Sequence, residues 1–184
     1  ADEAVICEMA GQKVGYWVGI APFARHTGKI YPPAQMERVI ELLSGRGDVT
    51  VFLFGGKGEE KETLDRWASE RSQVRSMAGR YTFDQELALI SRLDVFLCMD
   101  SANMHFAALV GTPVVSVWGA THPFAGFYQY GLSPENAIQE ELDCRPCSIF
   151  GDKLCHRGDW ACMTRIRPER IVRKVEERLG GVKP

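Results

Sequence analysis

The residues of this chain that could do chemistry gather in three short loops, and each loop directly follows an apolar run. The first is Asp100-Ser101-Ala102-Asn103-Met104-His105, set between Val95-Phe96-Leu97-Cys98-Met99 and Phe106-Ala107-Ala108-Leu109. A strand ending there and a helix starting there direct unpaired backbone N–H groups, and the positive end of the helix dipole, at whatever lies above the turn. Phosphate oxygens match that environment; the competing reading is that Asp100 or Ser101 only caps the helix. The second loop, Ala21 to Pro32, holds Arg25 and Lys29 among small residues and a hydroxyl. Arg suits phosphate by its forked geometry and Lys as a point charge, unless both side chains simply face water. The third loop, Gly55-Gly56-Lys57-Gly58-Glu59-Glu60, puts a permissive backbone before a carboxylate. Glu59 there can accept hydrogen bonds from ribose hydroxyls or merely favour a helix start. Its glycine spacing fits neither a P-loop nor a dinucleotide fingerprint.

What must position these loops is an alternation of strands and helices. The patterning predicts strands near 16–21, 49–54, 74–77, 95–99 and 114–118, and helices over 33–44, 59–70, 84–92 and 103–110. Val49-Thr50-Val51-Phe52-Leu53-Phe54 and, Ser116 apart, Val114-Val115-Ser116-Val117-Trp118 are continuously apolar or β-branched, as expected for parallel strands covered on both faces. The expected fold class is therefore α/β, a doubly wound parallel sheet, with ligands above the carboxyl ends of its strands. Pro32-Pro33 opens the first helix, Gly45 follows its end, and Asp84 with Glu86 opens the third. No periodic pattern begins before Val14, so residues 1–13 read as a linker and 14–184 as one domain. With 184 residues, 45% of them hydrophobic and 25% charged, that domain has room for a substantial core.

A formal net charge of −2 gives no general attraction to nucleic acid. The absence of a long apolar run and of a basic-then-apolar leader gives the expectation of a cytoplasmic protein. Arg157, Arg165, Arg167, Arg170 and Arg173 form a basic concentration, either a solvated face or a contact for anionic headgroups.

From Gly119 to Pro168 the alternation lapses into a long irregular segment, and such a segment is functional or pinned. Within it, residues 142–163 are rich in cysteine: Cys144-Arg145-Pro146-Cys147, Cys155 and Cys162. These four thiols could form a structural zinc or iron–sulfur set, although the second pair is too widely spaced for a regular zinc ribbon. Reduced thiols are the alternative, and disulfides suit a cytosolic compartment poorly. His122 and His156 are either substitute ligands or plain loop histidines, while Cys7 reads as a tail residue and Cys98 as core. The aromatic stretch Pro123-Phe124-Ala125-Gly126-Phe127-Tyr128-Gln129-Tyr130 forms a satellite core beneath the cysteine loop or faces another domain.

Taken together, Ala21-Pro22-Phe23-Ala24 with Lys29-Ile30-Tyr31-Pro32, Phe54-Gly55-Gly56 with Glu59, Ala78-Gly79, Asp100-Ser101 with His105, and Gly111-Thr112-Pro113 with Trp118-Gly119-Ala120-Thr121-His122-Pro123 carry a family resemblance. Over roughly residues 18 to 180 the chain resembles the carboxyl-terminal half of bacterial ADP-heptose:lipopolysaccharide heptosyltransferases, glycosyltransferase family 9. The resemblance implies the Rossmann-like carboxyl-terminal domain of a two-domain GT-B enzyme, which holds the nucleotide sugar ADP-heptose. It implies that Lys29 meets the diphosphate, that Glu59 meets the ribose and that Tyr81 lines the adenine pocket. Asp100, Ser101 and Ala102 would hold diphosphate and sugar, with His105 in support.

Two positions depart from the family pattern. Ala102 stands where many members have Gly, which narrows the approach of a phosphate, and Arg25-His26 stands where hydroxyl residues are frequent. A cysteine-rich stretch ending in Cys-Met occurs in relatives and need not be a metal site. The general base and the lipopolysaccharide acceptor site would belong to an amino-terminal domain outside this chain. The chain alone would then bind nucleotide without turnover, and catalysis would need no metal. Other readings are a GT-B transferase or sugar-nucleotide epimerase using a uridine nucleotide, and a non-catalytic nucleotide-binding module held by a thiol-bound metal.

Overall fold

The computed structural model describes residues 3–128 and 131–181. Gln129 and Tyr130, the end of the aromatic stretch, lie outside the described residues. The strands β1 (Tyr16–Ala21), β2 (Val49–Leu53), β3 (Val74–Ser76), β4 (Val95–Met99), β5 (Val114–Val117) and β6 (Ala137–Ile138) form one sheet in the order β3-β2-β1-β4-β5-β6. All five pairings are parallel. This is the strand order of the doubly wound Rossmann arrangement, and its direction reverses between β1 and β4.

The helices are α1 (Glu3–Ala10), α2 (Pro33–Ser44), α3 (Glu59–Ser69), α4 (Phe83–Ile90), α5 (Ala102–Leu109), α6 (Ala161–Thr164) and α7 (Pro168–Gly181). Because each central strand is covered on both faces, β2 and β4 bury side chains of either parity, and two cores result. One core joins Met36, Val39, Ile40 and Leu43 of α2, Leu64 and Trp67 of α3, and Ile171, Val175 and Leu179 of α7 to Val18, Val51 and Leu97 of the sheet. The other joins Ile6 and Met9 of α1, Leu89 and Ile90 of α4, and Met104 and Ala107 of α5 to Trp17, Phe52 and Phe96. Tyr31 ties the first core to the irregular segment by donating its hydroxyl to the Ile166 carbonyl at 2.6 Å, and burial raises its pKa.

Local signals set the helix starts. Pro33 occupies the first turn of α2, where its missing N–H is no loss. Thr82 and Gln85 form a reciprocal capping box at α4. The expected strands and helices between residues 14 and 118 are all present, with ends that coincide or differ by at most two residues.

The reading of residues 1–13 as a linker is corrected by α1. Ile6, Met9 and Ala10 are spaced i, i+3, i+4, so one face of a helix too short to show periodicity is buried against the second core. Cys7 is therefore an exposed helix residue, not a tail residue. Strand β6 was also missed; at two residues it carries no alternation to read.

Candidate functional site

A cavity of about 600 Å³ opens above the carboxyl ends of the central strands, where all three predicted loops meet. Lys29 follows β1 and Asp100 follows β4, the two strands that flank the reversal in strand order. That placement is where open parallel sheets bind ligands. Lys29 Nζ lies 2.9 Å from Asp100 Oδ2, and the Thr121 hydroxyl donates to the same oxygen at 2.8 Å. Both charged side chains are largely buried, at 13% and 4% exposure, so the pair is screened little by water. Lys29 also lies 5.5 Å from the centre of the Phe127 ring.

Ser101 precedes α5 with extended dihedrals but makes no side-chain cap bond, and among the described residues its buried Oγ has no partner. A hydroxyl left unsatisfied beside the unpaired N–H groups of a helix start is a donor that an external acceptor can complete. Ala102, the first helical residue, is exposed on the cavity wall, and Asn103 and Arg25 line it as well.

The Lys29 loop is held in place by close backbone approach at Gly28. Its N–H donates to the Gly151 carbonyl at 3.1 Å, and its own carbonyl accepts from the Ala120 N–H at 2.9 Å. A β-carbon at Gly28 would lie 2.7 Å from the Gly151 oxygen and 2.9 Å from Ala120 Cβ, so only glycine fits without movement. The cysteine-rich loop is thereby stapled to the floor of the cavity and sends Phe150 onto its wall.

Three predicted site residues fall elsewhere. Glu59 is exposed at the start of α3, and it is Glu60 that reaches the cavity, where its Oε2 accepts from the Gly56 N–H at 2.7 Å. The two glutamates are adjacent, and the left-handed Gly58, at φ 69°, sets the helix phase that decides which one faces inward. Tyr81 is partly buried against the second core and does not line the cavity. His105 is half-buried on α5, also off the wall.

Of the two readings of the loop cysteines, the thiol-bound metal is not supported. Among the described residues no group of three or more His, Cys, Asp or Glu side chains is arranged to hold a metal ion, and all four loop cysteines are free. A guanidinium does the pinning instead. Arg145 donates from Nε to the Gly119 carbonyl at 2.5 Å, from one terminal nitrogen to Glu140 at 2.5 Å, and from the other to Thr121 at 2.9 Å and Gln139 at 3.1 Å. Burial lowers its pKa, and the thiols of Cys162, Cys144 and Cys147 lie near enough to act on it. Burial raises the Cys162 thiol; at Cys155 burial is the largest single effect and also raises it, but the N–H groups of Trp160, Arg157 and Gly158 together outweigh burial and lower it.

Sequence reasoning also passed over Glu86, which lines the cavity from the first turn of α4 with its pKa raised by burial. In the sequence it is indistinguishable from an acidic residue favouring a helix dipole. The basic concentration is partly engaged: Arg170 pairs with Glu140 at 2.5 Å and Arg157 with Asp159 at 2.9 Å, both near the surface.

Fold and site together define a doubly wound α/β domain with an anion-ready cavity at its topological reversal. The chain belongs to glycosyltransferase family 9 (heptosyltransferase), whose model matches residues 7–150. It is 35% identical over 107 residues to lipopolysaccharide heptosyltransferase 3 of Escherichia coli, a stretch covering 57% of this chain and 32% of that protein. Among solved structures it resembles ADP-heptose lipopolysaccharide heptosyltransferase II of E. coli, with a TM-score of 0.75 and 20% identity over 98% of this chain and 53% of that one. It also resembles the E. coli heptosyltransferase WaaC solved with ADP-2-deoxy-2-fluoro heptose, with a TM-score of 0.67 and 16% identity over 96% of this chain and 48% of that one. The chain thus spans about half the length of these solved relatives. Among the described residues no helix is long and apolar enough to cross a membrane.

Proposed function

We propose that this chain is the carboxyl-terminal, donor-binding domain of a GT-B heptosyltransferase, holding ADP-heptose for transfer to a lipopolysaccharide core acceptor at the cytoplasmic side of the membrane. The observation that carries the reading is the convergence of the Lys29–Asp100 pair and the unpartnered Ser101 hydroxyl on the first turn of α5. Family membership supports the donor class, as does the likeness to WaaC, which was solved with an ADP-heptose analogue.

In an inverting transfer the acceptor oxygen attacks the anomeric carbon, the glycosidic bond to phosphate breaks with its electron pair going to the phosphate oxygen, and ADP departs with one further negative charge to be met. Lys29, held by Asp100, supplies a fixed cation at that point. Ser101 and the first backbone N–H groups of α5 supply neutral donors that need no reorganisation. Arg25, exposed on the cavity wall, adds a second cation. Asp100 is not the general base, because its carboxylate is already occupied by Lys29 and Thr121. The base and the acceptor site are assigned to the amino-terminal half of the full enzyme, so this chain binds the donor without turning it over.

Calorimetric titration with ADP, UDP and GDP, with Lys29→Ala as the paired variant, tests the reading. Saturable binding that favours ADP and is lost in Lys29→Ala supports it. Equal affinity for the three nucleotides, or binding that survives the substitution, contradicts it. Multiple turnover of ADP-heptose by the chain alone would overturn the assignment of the base.

A further inference from the structure

One group on the cavity wall has no part in the anion site. Glu86 sits in the first turn of α4, half-buried, and within the described residues its carboxylate makes no hydrogen bond and no ion pair. Every other carboxylate on that wall is engaged: Asp100 by Lys29 and Thr121, and Glu60 by the Gly56 N–H. The start of α4 is locked beside α5 by the Phe83 and Phe106 rings, 4.8 Å apart and edge to face. Asn103 lines the same cavity from the first turn of α5, and its amide is likewise without a hydrogen bond.

A half-buried carboxylate without a partner destabilises a fold, and such violations of local consistency gather where a ligand completes the set. The ligand group that fits must donate hydrogen bonds and carry no negative charge; sugar hydroxyls meet both conditions and the diphosphate does not. A carboxylate can accept from two adjacent hydroxyls at once. We propose that Glu86 is a specificity-determining residue of this cavity, accepting hydrogen bonds from the hydroxyl groups of a bound nucleotide sugar, with Asn103 beside it. This rests on the donor-binding reading above and extends it to a side chain outside the diphosphate site.

The hydroxyls could belong to the ribose or to the transferred sugar, and the experiment separates these sources. ADP, 2′-deoxy-ADP and ADP-heptose are titrated by calorimetry into the 184-residue chain and into its Glu86→Gln and Glu86→Leu variants, with thermal unfolding of each variant alongside. Loss of about 10- to 100-fold in affinity for ADP-heptose with ADP unchanged assigns the hydroxyls to the transferred sugar. Equal loss for ADP and ADP-heptose, together with disappearance of the preference for ADP over 2′-deoxy-ADP, assigns them to the ribose. In both cases the variants melt at or above the wild-type temperature, since an unpaired carboxylate has been removed.

Unchanged affinity for all three ligands overturns the proposal while leaving the donor site intact. Uniform loss that keeps the wild-type ratio of ADP to 2′-deoxy-ADP, or that comes with a lower melting temperature, overturns it in favour of a structural role. A wild-type chain that binds none of the three overturns the donor-binding reading and this proposal with it.

Discussion

Replacing Asp100 by Asn removes one charge from the site and leaves its shape almost unchanged. The Thr121 hydroxyl, 2.8 Å from Asp100 Oδ2, can still donate to the amide oxygen of Asn. Lys29, 13% exposed, is left without its counter-charge. Breaking a buried pair in this way costs about 3 kcal/mol, the lower end of the usual range because Lys29 keeps a narrow path to water. For a domain of this length that lowers the melting temperature by about 6–12 °C.

A diphosphate restores what the carboxylate supplied. ADP at a hundred times its dissociation constant stabilises any binder by about 2.7 kcal/mol, so the variant should regain most of the lost temperature. It should also gain more than wild type at the same ADP concentration, because the uncompensated cation now favours the bound state. Thermal unfolding followed by circular dichroism, with and without ADP, reads both effects. In a double-mutant cycle with Lys29→Met, the double variant should be less destabilised than the sum of the single ones. A variant that melts with wild type, or effects of Asp100→Asn and Lys29→Met that simply add, would refute the coupling between these two residues.

Four further outcomes follow from the same geometry. Gly28→Ala forces a β-carbon to 2.7 Å from the Gly151 oxygen, so calorimetric unfolding should show a loss of about 1–3 kcal/mol together with weaker ADP binding. Glu60→Gln should weaken nucleotide binding in a fluorescence titration while Glu59→Gln leaves it within about twofold, since only Glu60 reaches the cavity. Arg145→Met should lower the urea midpoint by an amount equivalent to about 2–4 kcal/mol, because the carbonyls of Gly119, Thr121 and Glu140 lose their shared donor. Burial raises the Glu86 pKa, so the folded state binds that proton more tightly than the unfolded chain does. Its penalty is therefore absent below the unfolded carboxylate range and present at neutral pH; Glu86→Gln should be more stable than wild type at pH 7, with the gap closing under acid unfolding conditions.

The parallel sheet was legible because the run that becomes β2 is apolar or β-branched at every position and that of β5 at all but Ser116, the pattern of strands covered on both faces. The Lys29 and Asp100 loops were legible for a related reason: a strand order that reverses between β1 and β4 must bring the two loops after those strands together. What escaped depended on phase and packing that spacing does not encode. Glu59 and Glu60 are equivalent until Gly58 sets the first turn of α3. Tyr81 is close to the cavity in sequence order, yet its ring joins the second core. The cysteine cluster left a metal set and reduced thiols both open, because thiols in an irregular loop call for a clamp without naming it; the clamp is Arg145, a residue inside the same Cys144–Cys147 motif. Helix α1 was hidden by its eight-residue length, too short for a periodic signal.

The central claim is that the first turn of α5 and the Lys29 loop receive a nucleotide diphosphate. Amide nitrogen–proton correlation spectra of the chain, recorded through an ADP titration, test this at the atoms concerned. The account predicts that the largest shifts fall on the N–H groups of Ala102 and Asn103 and on Gly28, saturating together and vanishing in Lys29→Ala. Shifts confined to the basic face at Arg165, Arg167 and Arg173, with α5 silent, would contradict it.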